Sequence, residues 1–245
     1  MDHTLIRRLQ AYTRLSSADR QALSRLVTQT RQVRARHDLI AEGEAPTAVQ
    51  LIVSGWASRY KVLPDGRRSI VAFLVPGDFC DLNVYVLKQM DHSIGTITNS
   101  RVACIGRAEM DLLMHDHPRV TQALWWDQLV TAAVQREWTH NLAARSAYER
   151  IGHLLLELFF RLRAVGLADA DSCDFPLTQN DLADATGLTA VHVNRTLQDL
   201  RRDGLIELDR RRLRMPNLPA LTDAVMFNPN YLHLDRAGAH LNAND

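Results

Sequence analysis

Lysine is nearly missing from this chain. Of its 29 basic residues only Lys61 and Lys88 are lysines and the rest are arginines, whose planar forks suit phosphate and guanine better than a point charge does. A net charge of +1 over 245 residues excludes a uniformly basic chain, so any nucleic-acid footprint has to be a local patch. Cysteine is scarce as well. Cys80, Cys104 and Cys173 stand far apart with no C-x-x-C pair, which excludes a disulfide framework and predicts a reducing compartment, the cytoplasm. The longest apolar runs, such as Leu51-Ile52-Val53 and Leu154-Leu155-Leu156, fall far short of the roughly 20 residues that cross a bilayer. The chain also opens without a charged-then-apolar leader, so a soluble protein with no membrane partner is expected. Between Val49 and Ile105 His92 is the only histidine. The paired His-x-His ligands of a cupin-type barrel enzyme are therefore absent, and the protein is not expected to be an enzyme.

What is present predicts two domains, for 46% hydrophobic and 23% charged residues suffice for two modest cores. Ser16-Ser17-Ala18-Asp19 reads as a capping box ahead of Leu23, Leu26 and Val27 at helical spacing. From Val49 the period changes. Val49 to Val53, a Ser54-Gly55 break, Trp56 to Val62, a Pro64-Asp65-Gly66 turn, Ser69 to Val75 and then Arg101 to Ile105 predict short antiparallel strands. Residues 31–108 are expected to form a β-barrel or jelly roll. The charged Glu109 to His117 segment is expected as a loop leading to Pro118; its His115-Asp116-His117 trio is metal-like in composition but lacks a third ligand at regular spacing, and no metal site is expected.

Pro118 suits the first turn of a helix and the next glycine is Gly152, so a long helix is expected to run to Ala143–Arg145. Val120, Leu124, Val134 and Trp138 make one apolar stripe; Trp125, Leu129 and Ala132 make another beside it. Two surfaces are needed to cover so broad an arc, its own barrel and the same helix of a second copy, which predicts a homodimer. Ser146-Ala147-Tyr148-Glu149 is a second capping box, opening a helix with Ile151, Leu154, Leu155, Leu158 and Leu162 inward. Gly166 to Asp174 is expected as a loop.

Leu177 to Leu197 has the spacing of a helix-turn-helix. Ala183 is small where two helices cross, Gly187 suits a positive φ at the turn, and Val193 points back into the core. Thr178 and Thr189 sit where N-caps belong. Leu205 to Leu208 and Leu213 to Met215, joined by a turn at Asp209 to Arg212, read as a two-stranded wing. In that geometry the second helix enters the major groove and the first, starting at Thr178 and Gln179, lies across the backbone. Thr189, Ala190, His192, Asn194 and Arg195 are the candidate readers, with Arg195 suited to guanine and Asn194 to adenine or phosphate. Arg210, Arg211 and Arg212 would neutralise phosphates, or else form a solvated turn paired with Asp203, Glu207 and Asp209. A winged helix that binds a protein instead of DNA is the competing class.

Barrel, long helix and winged helix-turn-helix, with Gly55, Pro64-Asp65-Gly66, Pro76-Gly77-Asp78-Phe79 and Leu177 to Arg195, resemble the Crp/Fnr family of bacterial transcription regulators over residues 15–217. The resemblance implies an α+β fold: a cyclic-nucleotide-binding-like jelly roll in residues 1–117, a dimerisation helix and hinge in 118–145, a DNA-binding domain in 146–222 and a C-terminal extension in 223–245. It also implies a homodimer on a palindromic operator in double-stranded DNA, with half-sites about one helical turn apart, and RNA polymerase as a further partner.

Against the cyclic-AMP-binding members the match breaks down. They carry Gly-Glu-Leu after Gly-Asp-Phe for the ribose, Arg-Ser for the cyclic phosphate and Thr-Ser on the dimer helix for the purine; here those places hold Asp81-Leu82, His92-Ser93 and Gln135-Arg136. These six remain the candidate effector residues. Leu82 accepts no hydrogen bond and a neutral imidazole is no substitute for a guanidinium fork; two lost contacts of about 1.5–3 kcal/mol each predict cyclic AMP binding weaker by about a hundredfold or more. Iron-sulfur members need N-terminal cysteines, and none precedes Cys80. Haem, with His92 or Cys80 as axial ligand, stays open as an alternative, as does a protein with no effector. Ala190-Val191 replaces the base-reading Arg-Glu pair, so a different half-site is expected. Residues 218–245, with Phe227-Asn228-Pro229-Asn230-Tyr231, lie beyond the shared pattern and either pack on the DNA-binding domain or stay loose.

Overall fold

Two short helices open the chain in the computed structural model, which describes residues 3–82 and 84–234. They are α1 (Thr4–Gln10) and α2 (Ser17–Leu26). The first capping box forms as read: Ser16 Oγ accepts from the Asp19 amide at 3.1 Å while the Asp19 carboxylate accepts from the Ser16 amide at 2.8 Å. Strands β1 (Thr30–Val33), β2 (Asp38–Ile40), β3 (Ala48–Ser54), β4 (Ala57–Val62), β5 (Arg68–Leu74), β6 (Ser93–Thr96) and β7 (Ser100–Gly106) follow. They make two antiparallel sheets, ordered β1-β7-β3 and β2-β6-β4-β5, with Leu51 opposite Ala103 and Tyr60 between Ile70 and Ser93. The inner faces bury Val49, Leu51, Ile70, Phe73, Ile94, Val102 and Ile105, closing the jelly roll.

The His-rich segment expected as a loop is instead helix α3 (Arg107–Asp116), which buries Met110 and Leu113 and turns its charges outward. Pro118 then opens α4 (Pro118–Ala144) at its first turn, where a missing amide proton costs nothing. Its 27 residues extend for about 40 Å. Val120, Leu124, Val134 and Trp138 are buried; Trp125 and Leu129 are each 66% exposed, and Ala132 is exposed beside them. No helix among the described residues is long and apolar enough to cross a membrane.

At Arg145 the backbone turns extended, and α5 (Ala147–Ala164), capped by Ser146 and Glu149, runs back along α4. Trp138 Nε1 donates to the Glu157 carboxylate at 3.1 Å and Asn141 Nδ2 to the Arg150 carbonyl at 3.3 Å. The C-terminal unit continues with β8 (Ser172–Asp174), α6 (Gln179–Thr186), α7 (Ala190–Arg202), β9 (Glu207–Asp209), β10 (Arg212–Arg214) and α8 (Leu218–Ala224). The expected loop at Gly166 to Asp174 thus contributes a strand, and the wing is a three-stranded sheet ordered β8-β10-β9 instead of two strands. Helix α8 runs through the expected boundary at residue 222. Leu221, Val225, Phe227 and Leu232 are buried, so the chain as far as Leu234 packs with α4 and α5. Residues 235–245 of the expected extension lie outside the described residues.

A buried ionic chain ties these parts together. Asp78, in the turn after β5, receives Arg8 Nη1 at 2.7 Å and Arg161 Nη2 at 2.6 Å; Arg8 also binds Asp127 of α4 at 2.6 Å, and Arg161 reaches Glu157 at 3.4 Å. Burial pushes the Glu157 carboxyl up, against the opposing pull of the Arg161 charge and of the hydrogen bonds from Trp138 and Tyr231. Gly77 makes the approach of α1 possible. At φ 97°, a Cβ there would lie 3.1 Å from the Thr4 backbone.

Candidate DNA-binding surface and effector pocket

The helix-turn-helix is built by its caps. Thr178 Oγ1 accepts from the Asp181 amide at 3.2 Å and donates to the Asp181 carboxylate at 2.7 Å; Gly187 ends α6 at φ 67°, its amide bonding the Ala183 carbonyl; Thr189 Oγ1 accepts from the His192 amide at 3.2 Å. Both threonine hydroxyls expected at the DNA are thus spent first on closing helices. Val193, Thr196, Leu197 and Leu200 form the buried face of α7. Val191, Arg195 and Gln198 lie opposite, all exposed, one and two turns apart on a single stripe. His192 is exposed at one side of that stripe; Ala190 and Asn194 are half-buried. Val191 was not among the candidate readers, yet it is 81% exposed.

The wing turn presents Arg210 and Arg211 at φ 43° and 65°, a tight hairpin geometry that glycine and asparagine prefer. Both side chains are exposed. Arg212 differs: it bonds the Asp169 carboxylate and, at 2.9 Å, the Ser172 hydroxyl, which binds it into the β8-β10 edge.

In the barrel, Asp81 occupies the middle of the expected effector site. Its carboxylate lies 3.3 Å from Arg59 Nη2 and 3.0 Å from His92 Nε2, and His92 Nδ1 lies 2.7 Å from Asp91. The hydrogen bond to Asp81 raises the His92 pKa above its ordinary value against the opposing effect of burial. Ser93 Oγ accepts from the Glu42 amide at 2.9 Å, Leu82 packs against the core, and Gln135 Nε2 donates to the Val71 carbonyl at 2.9 Å. Arg136 is exposed and stands apart from this group, on the α4 face that carries Trp125, Leu129 and Ala132. The adjoining cavity between Ile40, Ala48, Val84, Met90 and Ile94, about 10 Å³ and so room for about one water molecule, has Asp81 at its wall. Elsewhere, His117 Nδ1 lies 2.8 Å from Asp19 at the α3–α4 joint.

Two family models match the chain along this architecture, the cyclic nucleotide-binding domain over residues 30–117 and the Crp-like helix-turn-helix domain over residues 149–224. The transcriptional activator protein FnrL of Cereibacter sphaeroides is 30% identical over 185 residues, 74% of each chain. The transcriptional activatory protein AadR of Rhodopseudomonas palustris is 32% identical over 215 residues, 83% of this chain and 84% of its own. The chain belongs to the Crp/Fnr family. The solved structure of FixK2 from Bradyrhizobium japonicum superposes with a TM-score of 0.71 at 26% identity, covering 80% of this chain and 96% of that one. Crp/Fnr proteins are DNA-binding transcription regulators, and dimers on palindromic sites are typical of them. Within this Crp/Fnr fold, α4 is the long central helix and α7 the second helix of the helix-turn-helix.

Proposed function

We propose that the protein acts in the cytoplasm as a homodimer, reads a palindromic operator through α7, holds the DNA backbone with Arg210 and Arg211, and does so without cyclic AMP and without enzymatic activity. The outward stripe Val191, Arg195, Gln198 on a helix whose opposite face is fully packed is the observation that carries the reading. Dimerisation is supported by the exposed row Trp125, Leu129, Ala132, Arg136, Thr139 and Ala143 on α4, whose alternating steps of four and three residues are the spacing of a two-helix seam. The names of FnrL and AadR support activation, and with it contact to RNA polymerase.

The pocket supports independence from cyclic AMP. A carboxylate of the protein, Asp81, already pairs with Arg59 and bonds His92, so a cyclic phosphate entering there meets a negative charge beside an occupied guanidinium. Haem fits no better: both His92 nitrogens face carboxylates, and burial pushes the Cys80 thiol up, away from the thiolate that would bind iron.

Binding of full-length variants to a selected duplex tests the reading. Arg195→Ala is expected to cost about 1–3 kcal/mol and to relax one base position, whereas Arg211→Ala weakens all sequences alike and lowers the salt slope by about one. Equal losses at every base position for Arg195→Ala would place α7 outside the groove.

A further inference from the structure

The first turn of α7 carries an apolar side chain for which the protein offers no cover. At 81% exposure, Val191 is the most exposed large hydrophobic among the described residues. It is β-branched, a poor choice for an exposed helix position, where alanine or a long polar residue holds the helix better. Its neighbours on the surface are polar: His192 beside it, Arg195 one turn on and Gln198 a turn further. In the major groove the base edges offer hydrogen-bonding groups and a single apolar one, the 5-methyl of thymine. The geometry points to Val191 as a specificity residue that packs on the methyl group of a thymine, within about two base pairs of the base taken by Arg195, since one helical turn rises about 5.4 Å. This rests on the proposed insertion of α7 in the major groove. Arg195 supplies a directed hydrogen-bonding contact and Val191 a contact that separates thymine from cytosine by one methyl group.

Replacing the thymines of a selected operator by deoxyuridine, one at a time, tests it, because uracil keeps every hydrogen-bonding group and removes only the methyl. With the full-length protein, one thymine per half-site is expected to lose about fourfold in affinity, the transfer value of one buried methyl. In Val191→Ala, an exposed change that does not threaten folding, the thymine-to-uracil difference at that position drops below about twofold; in Arg195→Ala it stays. If selective binding persists but no thymine shows the loss, or the loss is undiminished in Val191→Ala, the inference is overturned and groove insertion stands. If no duplex is bound selectively, both fall together.

Discussion

Arg36 grips both carboxylate oxygens of Asp181, Nη1 to Oδ1 at 2.6 Å and Nη2 to Oδ2 at 2.8 Å, joining the barrel to the helix-turn-helix across 145 residues of chain. Arg68 of β5 adds Asp184 at 2.8 Å and Asp181 at 3.4 Å. The Asp181 carboxylate is fully buried and also accepts from the Thr178 amide at 2.9 Å. One side chain therefore closes the N-terminus of α6 and locks that helix against the barrel.

Arg36→Ala leaves this buried carboxylate with the more distant Arg68. Breaking a fully buried pair costs about 3–5 kcal/mol; because the Arg36 side chain is 45% exposed, a loss of about 1–3 kcal/mol is expected. Hydrogen exchange should rise in α6 and β5 while the barrel interior stays protected. Unchanged exchange in α6 would mean that the pair does not hold the two units together.

The wing turn sets stability against binding. Replacing Arg210-Arg211 by Asn-Gly removes two arginines from left-handed backbone and is expected to raise stability by about 1 kcal/mol. Affinity for DNA should fall for all sequences, with a salt slope lower by about two. Chemical unfolding and salt-dependent mobility shifts read the two effects separately, and unchanged DNA affinity would take the wing off the backbone.

Capping pairs were the most legible part of the fold. Ser16 with Asp19, Ser146 with Glu149 and Thr178 with Asp181 are three residues apart and need no distant partner. Strands β3, β4, β5 and β7 announce themselves by apolar runs and turns, whereas Thr30–Val33 and Ser93–Thr96 are short, polar or glycine-containing and become strands only by pairing with β7 and β4. Ser172–Asp174 is a strand because β10, 40 residues later in the chain, lies beside it. The outward position of Arg195 on α7 could be read from local spacing. The Asp81–Arg59 pair and the exposure of Val191 could not, because each depends on what the fold places next to the side chain.

Leu129→Glu on the exposed face of α4 tests the dimer. Leu129 is 66% exposed, so the monomer should fold normally, while a charge in a two-helix seam is expected to convert the dimer to monomer in sedimentation and to abolish tight operator binding. A monomeric wild type, or a variant that still dimerises, would move the interface elsewhere.

His153 makes stability depend on acid. It is buried beside Phe227 and Tyr231, with Nε2 3.2 Å from Glu137, which Arg145 already holds at 2.8 Å. Burial, helped by the Arg145 charge, lowers its pKa to about 3 from 6.5. The unfolded chain binds a proton that the folded chain refuses, so this contribution is complete above pH 6.5 and is lost as pH falls toward 3. Between pH 6.5 and 5 the wild type should lose about 1.5 kcal/mol more than His153→Gln in urea unfolding. Parallel pH profiles would show that His153 is protonated in the fold.

The most direct measurement is selection of duplexes from a random pool by the full-length protein, with and without millimolar cyclic AMP. A palindrome with half-sites about one helical turn apart is expected to emerge identically in both arms, bound with a steep salt dependence. Enrichment of no sequence above the random pool, or enrichment only when cyclic AMP is present, would contradict the account.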